Sequence, residues 1–115
     1  SLKNCFVDLS AFKIHCDLAK VDSEIVAPAQ DRFEADYNKP EEVMRKLVET
    51  YPQTIIWGTD IPANYFIRKH YNPDGTCMNF SLRSSFDMEV KIFKTLPRDY
   101  ASKIAYENIM EYMFR

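Results

Sequence analysis

Thr54-Ile55-Ile56-Trp57-Gly58-Thr59 is the stretch that most narrows what this chain can fold into. It is short, β-branched and without polar alternation, so a strand built from it has to be covered on both faces. A parallel sheet wrapped by helices gives that cover, and parallel strands are joined by crossovers that are usually helical. The residues just upstream supply such a helix. Asn38 is placed to cap it, Glu41 follows three residues later, and Pro40 lies in the first turn, where its missing N–H costs nothing. Val43, Met44, Leu47, Val48 and Tyr51 share one helical face, and Pro52 ends the element.

A second strand precedes this helix. Residues 4–12, "NCFVDLSAF", alternate Cys5, Val7 and Leu9 with Phe6, Asp8 and Ser10. Residues 13–37 show no clean period and contain Pro28, so they read as loop with one or two short helical turns. Residues 61–83 read as a long loop in which Asn72-Pro73-Asp74-Gly75 is a strong turn signal. A helix is predicted to start near Ser84 or Ser85, with Phe86, Val90, Phe93 and Leu96 on one face. Pro97 separates it from a last helix striped by Ala101, Ile104, Ala105, Asn108, Ile109, Tyr112 and Met113. The order strand, helix, strand, helix, helix predicts a right-handed βαβ unit. Two parallel strands make a poor free-standing sheet, so the pattern fits a slice of a larger α/β architecture better than a finished domain.

Composition sets limits on function. A chain of 115 residues is one domain at most, and 46% apolar residues suffice for a core. With only two glycines, a turn-rich all-β sandwich and a Gly-rich phosphate loop are both disfavoured. Fifteen basic against 17 acidic residues give a net charge of −2, which offers no electrostatic footprint for nucleic acid or an anionic membrane. No apolar run has the length of a bilayer span, and no signal-peptide pattern opens the chain. Cys5, Cys16 and Cys77 are odd in number and lack C-x-x-C spacing, which suits reduced thiols and a cytoplasmic setting. The chain opens on Ser1-Leu2 without an initiator Met and runs directly into a strand, so it is expected to be a piece of a longer protein.

In parallel α/β folds the working residues sit at the carboxyl ends of strands. Asp60 holds that position after "TIIWGT" and Ser10 after "CFVDL". Spacing alone favours a modest role for Asp60, an Asx-turn or a cap for the following segment. Arg68, His70 and Tyr71 are candidate substrate contacts from the long loop. His15 beside Cys16 is a weak ligand or nucleophile–base pair, because neighbours on a strand point opposite ways. Asp8 reads as either a buried carboxylate in the strand or a satisfied structural one, with the structural role favoured, and Trp57 as core.

Three segments carry a resemblance. "IIWGTDIP" resembles the last-strand signature of the metal-dependent amidohydrolase superfamily, in the branch that includes amino-carboxymuconate-semialdehyde decarboxylase-like enzymes. "LPRDYASKIAYENIMEYMF" resembles that family's closing helix through Leu96, Pro97, Lys103, Ile104, Glu107, Asn108 and Phe114, with Ile109 standing where Ala is usual. "NCFVDLSAF" resembles its penultimate strand. The likeness covers roughly half of the chain and is weak or absent over 13–37 and 62–85.

The resemblance implies a (β/α)8 TIM barrel of about 250 residues. This chain, 1–115, would be its C-terminal part, strands seven and eight with their helices. It further implies that Asp60 binds or neighbours a catalytic divalent metal, zinc foremost, and shuttles a proton between metal-bound water and the leaving group. The parent would be a hydrolase of small-molecule C–N or C–O bonds, or a decarboxylase of a small acid. The family's other ligands, an H-x-H pair and two further histidines, have no counterpart here, where His15 and His70 are the only histidines. The isolated chain is therefore expected to be inactive, to hold no metal tightly, and to self-associate through uncovered surfaces. The alternatives are a non-catalytic α/β interaction module and a half-barrel that dimerises to cover its strand edges.

Overall fold

The computed structural model describes residues 5–20, 26–60 and 64–114. Strand β1 (Val7–Asp8) leads into helix α1 (Phe12–Lys20), and a 3-10 turn (Ala29–Asp31) precedes helix α2 (Pro40–Thr50). Strand β2 (Ile55–Ile56) lies parallel to β1, with Val7 opposite Ile55 and Asp8 opposite Ile56. Two further strands, β3 (Asn64–Tyr71) and β4 (Cys77–Ser85), pair antiparallel as a hairpin. Helix α3 (Phe86–Phe93) follows, and the closing helix runs through α4 (Arg98–Ser102), a π-helical turn (Lys103–Glu107) and α5 (Asn108–Met113).

The parallel pair joined through helices is the arrangement the two apolar runs predict, although each strand has only two residues. Ile55 is buried and joins Phe12, Cys16, Val43, Met44, Val48, Ile92, Leu96 and Ile104 in the core, with Leu9 and Trp57 packed against it. By strand alternation Val7, Leu9, Ile55 and Trp57 share one face, and the helices gather on it. The opposite face carries Phe6, Asp8 and Ile56, none of them buried; Phe6 meets Tyr112 of α5 edge-on at 5.5 Å.

Several expectations need correction. Residues 13–37 begin with more than a short helical turn, because α1 is a nine-residue helix burying Phe12, Ile14 and Cys16. Its first-turn donors are met by Glu89, 77 and 76 residues away, so no local cap advertises it. The capping assigned to Asn38 fails as well. Lys39 is the residue at that position, while Asn38 donates both its backbone N–H and its Nδ2 to Asp36 Oδ1. Residues 61–83 are largely the β3–β4 hairpin rather than loop. Its tip is the expected turn: Asp74 Oδ1 accepts from Thr76 N and Oγ1, and Gly75 supplies a φ of 89°.

Helix α3 starts where expected, with Ser85 Oγ accepting from Met88 N at 3.2 Å, but it is turned about its axis. Phe86 is half exposed, whereas Glu89 and Ile92 face inward. In the closing helix Ile104 and Asn108 are buried, while Tyr112 and Met113 of the expected stripe are exposed.

Candidate functional site

The carboxyl ends of β1 and β2 lie side by side. Val7 N and Leu9 N donate to Thr54 O and Ile56 O at 2.9 Å, and beyond the ladder Ala11 N donates to Thr59 O at 3.2 Å. Both chains turn sharply there. Ala11 and Asp60 have φ of 52° and 56°, the left-handed region that side chains other than glycine rarely occupy. Such strained residues persist where the surroundings hold them, and they gather at functional sites.

Each side chain at this rim has its own setting. Asp8 is exposed rather than buried, and its Oδ1 accepts from both Ser10 N (2.9 Å) and Ser10 Oγ (2.5 Å). The Asx-turn foreseen for Asp60 is thus made by Asp8 at the neighbouring strand. Ser10 Oγ also crowds Gly58, since a Cβ there would sit 3.1 Å from it, closer than packed side chains normally come. Asp60 is exposed, and among the described residues its carboxylate has no hydrogen bond or ion pair. Residues 61–63, which a turn or cap at Asp60 would serve and which include Pro62, lie outside the described residues.

The other predicted contacts are not loop residues. Arg68 and His70 belong to β3, and Arg68 falls between Ile67 and Lys69, where the register slips so that 80 and 81 of β4 oppose it. A bulge of this kind re-aims side chains. The side chains of Arg68 and His70 lie outside the described residues. Tyr71 is exposed at the far end of β3, paired with Cys77, at the opposite end of the strand from the Asn64 that lies nearest Asp60 in the chain. His15 is exposed and Cys16 buried on α1, so the two do not form a pair; the element that separates them is a helix. Burial pushes the Cys16 thiol up to about 12, helped by the nearby Asp17 and Glu89 charges, which suits an inert core thiol. Trp57 stacks on Phe93 with centroids 4.1 Å apart, the core role expected of it.

The residue most tightly held was not among the candidates. Glu89 is fully buried; its Oε2 accepts from Phe12 N (3.1 Å), and its Oε1 from Lys13 N (3.0 Å) and Ser84 Oγ (2.6 Å). It therefore ties α3 and the base of β4 to the start of α1. An acidic residue four positions after a capping Ser looks like helix surface, so the sequence carries no signal of this role.

An apolar groove of about 530 Å³ is lined by Cys5, Val7, Leu9, Leu47, Tyr51, Thr54 and Ile55. Among the described residues no three His, Cys, Asp or Glu side chains are gathered as a metal site would need, and no helix is long and apolar enough to cross a membrane. No protein-family model, curated protein or solved structure matches the chain.

Proposed function

We propose that this chain is the last two β/α units of an amidohydrolase-type (β/α)8 barrel, and that Asp60 is its contribution to the active centre. One observation carries the reading: an exposed carboxylate in a left-handed conformation stands a few residues beyond the carboxyl end of a parallel strand, beside the turn that follows a second one. Helices gathered on one sheet face, with Phe6, Asp8 and Ile56 left unburied on the other, also suit units cut from a closed barrel. On this reading the parent is a cytoplasmic metal-dependent hydrolase of a small-molecule C–N or C–O bond, or a decarboxylase of a small acid. Asp60 accepts a proton at its carboxylate and returns it to the leaving group. Arg68, His70 and Tyr71 are proposed as substrate contacts from the hairpin.

The family's divalent metal meets a poor donor set in this chain. Zinc takes four ligands in most centres. Among the described residues the rim offers Asp60 alone, because Asp8 Oδ1 already serves Ser10. These residues do not make a metal site by themselves, so the remaining ligands belong to other parts of the parent, and the isolated chain is inactive. The test is Asp60→Asn in the full-length parent, which keeps size and hydrogen bonding but removes the base. Turnover is expected to fall by at least about a hundredfold, the general-base share of catalysis. Undiminished turnover would remove Asp60 from the chemistry.

A second reading, a self-contained α/β interaction module, has an observation of its own. The outer edge of β2, where a barrel would add its next strand, is occupied by the closing helix. A partner or second copy would then meet the exposed apolar residues at the C-terminal end, Tyr112, Met113 and Phe114. A chain that stays monomeric at high concentration in the ultracentrifuge would count against self-association in either form.

A further inference from the structure

One hydroxyl sits between the ends of β1 and β2. Asp8 Oδ1 accepts both hydrogens that Ser10 can offer, from N at 2.9 Å and from Oγ at 2.5 Å. The second is a short, charge-assisted bond. The hydroxyl so held stands over Gly58, 3.1 Å from where a Cβ would lie. Gly58 has no left-handed φ, so the close approach of Ser10 is what calls for glycine there.

The hold passes on to Asp60. Directly after Ser10 the chain turns through Ala11 with a φ of 52°, and the Ala11 N–H crosses to Thr59 O at 3.2 Å. The carbonyl of Ala11 accepts from Ile14 N and His15 N, so the same residue starts α1. Ala11 is only 9% exposed, which shelters its bond to Thr59 from water. Thr59 O lies in the rigid peptide plane that ends at Asp60 N. Holding that plane fixes one side of the rotation that gives Asp60 its φ of 56°. Among the described residues the Asp60 carboxylate has no bond of its own, so its placing comes through the backbone.

We propose that Asp8 and Ser10 are positioning residues for Asp60. Asp8 holds the Ser10 hydroxyl over Gly58, Ser10 sets the turn at Ala11, and Ala11 pins the peptide on which Asp60 stands. Neither side chain has to touch a substrate. The inference deepens the catalytic reading of Asp60 and rests on it for any effect on turnover, whereas the linkage is a property of this chain.

The linkage is tested on the 115-residue chain by NMR. Couplings that report φ should place Asp60 in the left-handed region. In Ser10→Ala and Asp8→Ala the Ala11 amide should exchange at least about tenfold faster relative to the Leu9 amide, which donates to Ile56 O within the ladder. Asp8→Asn keeps an oxygen that accepts from Ser10, and should leave the ratio within about threefold of the unmodified protein. An unchanged ratio in both alanine variants would overturn the proposal. So would a right-handed Asp60 in the unmodified protein, which needs no variant to fold.

The effect on turnover is tested in the full-length parent. Asp8→Ala should lower kcat at least about tenfold with KM nearly constant, and Asp8→Asn should restore most of it. Equal losses in the two variants would show that the charge of Asp8 matters rather than its hold on Ser10, and would overturn the proposal. Retained kcat in Asp8→Ala, where Asp60→Asn abolishes turnover, would overturn it while leaving the role of Asp60 standing. Undiminished turnover in Asp60→Asn would remove the catalytic reading, and the exchange ratio would still decide the linkage.

Discussion

Glu89 lies wholly inside the protein with both carboxylate oxygens occupied, by two backbone N–H groups of α1 and the hydroxyl of Ser84. Asp60 stands at the exposed end of β2 in a strained backbone conformation, and among the described residues nothing holds its carboxylate. One acid is spent on joining elements distant in sequence. The other adds nothing visible to stability and is kept in a conformation that costs energy. A group bound on every side cannot exchange protons with a substrate, whereas an exposed one at a strand end can. The comparison gives Glu89 a structural role and leaves Asp60, among the described residues, without one.

The largest effect should come from Glu89→Leu. It strands two buried donors at about 1–3 kcal/mol each and a part-buried third, so the denaturation midpoint should report a loss of at least about 2 kcal/mol. A loss below about 1 kcal/mol would show that the knot around Glu89 is not what holds α1.

Cys16 probes the same region by pH. Its folded value of about 12 lies above the ordinary 9.0, so the neutral thiol is favoured in the folded state. The associated stability is complete below pH 9 and is lost as pH rises toward 12, by about 1.4 kcal/mol per pH unit. Cys16→Ser should flatten that alkaline slope, and alkylation at neutral pH should modify the exposed Cys5 while sparing Cys16.

The strand end should respond in the opposite sense. Asp60→Gly relieves the left-handed φ and is expected to raise stability by about 0.5 kcal/mol, with Asp60→Asn close to neutral. Substantial destabilisation by Asp60→Gly would mean that the side chain is structural after all, and the contrast with Glu89 would collapse.

The smallest effect is at the flank of α1. Burial of Asp17 works to raise its carboxyl, but the hydrogen bonds from Lys13 and Lys20 outweigh it and hold the group below 3.8. Its contribution is present above pH 3.8 and lost as pH falls through the lower folded value. Asp17→Asn should therefore slightly reduce the acid sensitivity of unfolding, and an unchanged acid limb would show that the pair is screened.

Local patterns were legible where the stabilising groups are near in sequence. The core face of α2, the stop at Pro52, the Ser85 cap and the Asn72–Gly75 turn all depend on partners within a few residues. Of the hairpin only the turn was legible; its strands read as loop, although Met78, Phe80 and Leu82 alternate with Asn79, Ser81 and Arg83. Helix α1 was not legible, since its cap comes from Glu89, nor was the orientation of α3, which turns Glu89 inward at the expense of Phe86.

By itself the sequence determined that two short apolar runs would pair in parallel through a helical crossover, because the second of them lacks polar alternation and has to be covered on both faces. It also placed Asp60 just beyond the second of them. Only the tertiary structure decided which acid is consumed and which is left over, and that Asn108 and Ile104 would take the place of a strand. Those outcomes rest mainly on hydrogen bonds between residues 47 to 77 positions apart in the chain. No local periodicity records such partners, since burial selects them only after the elements have packed.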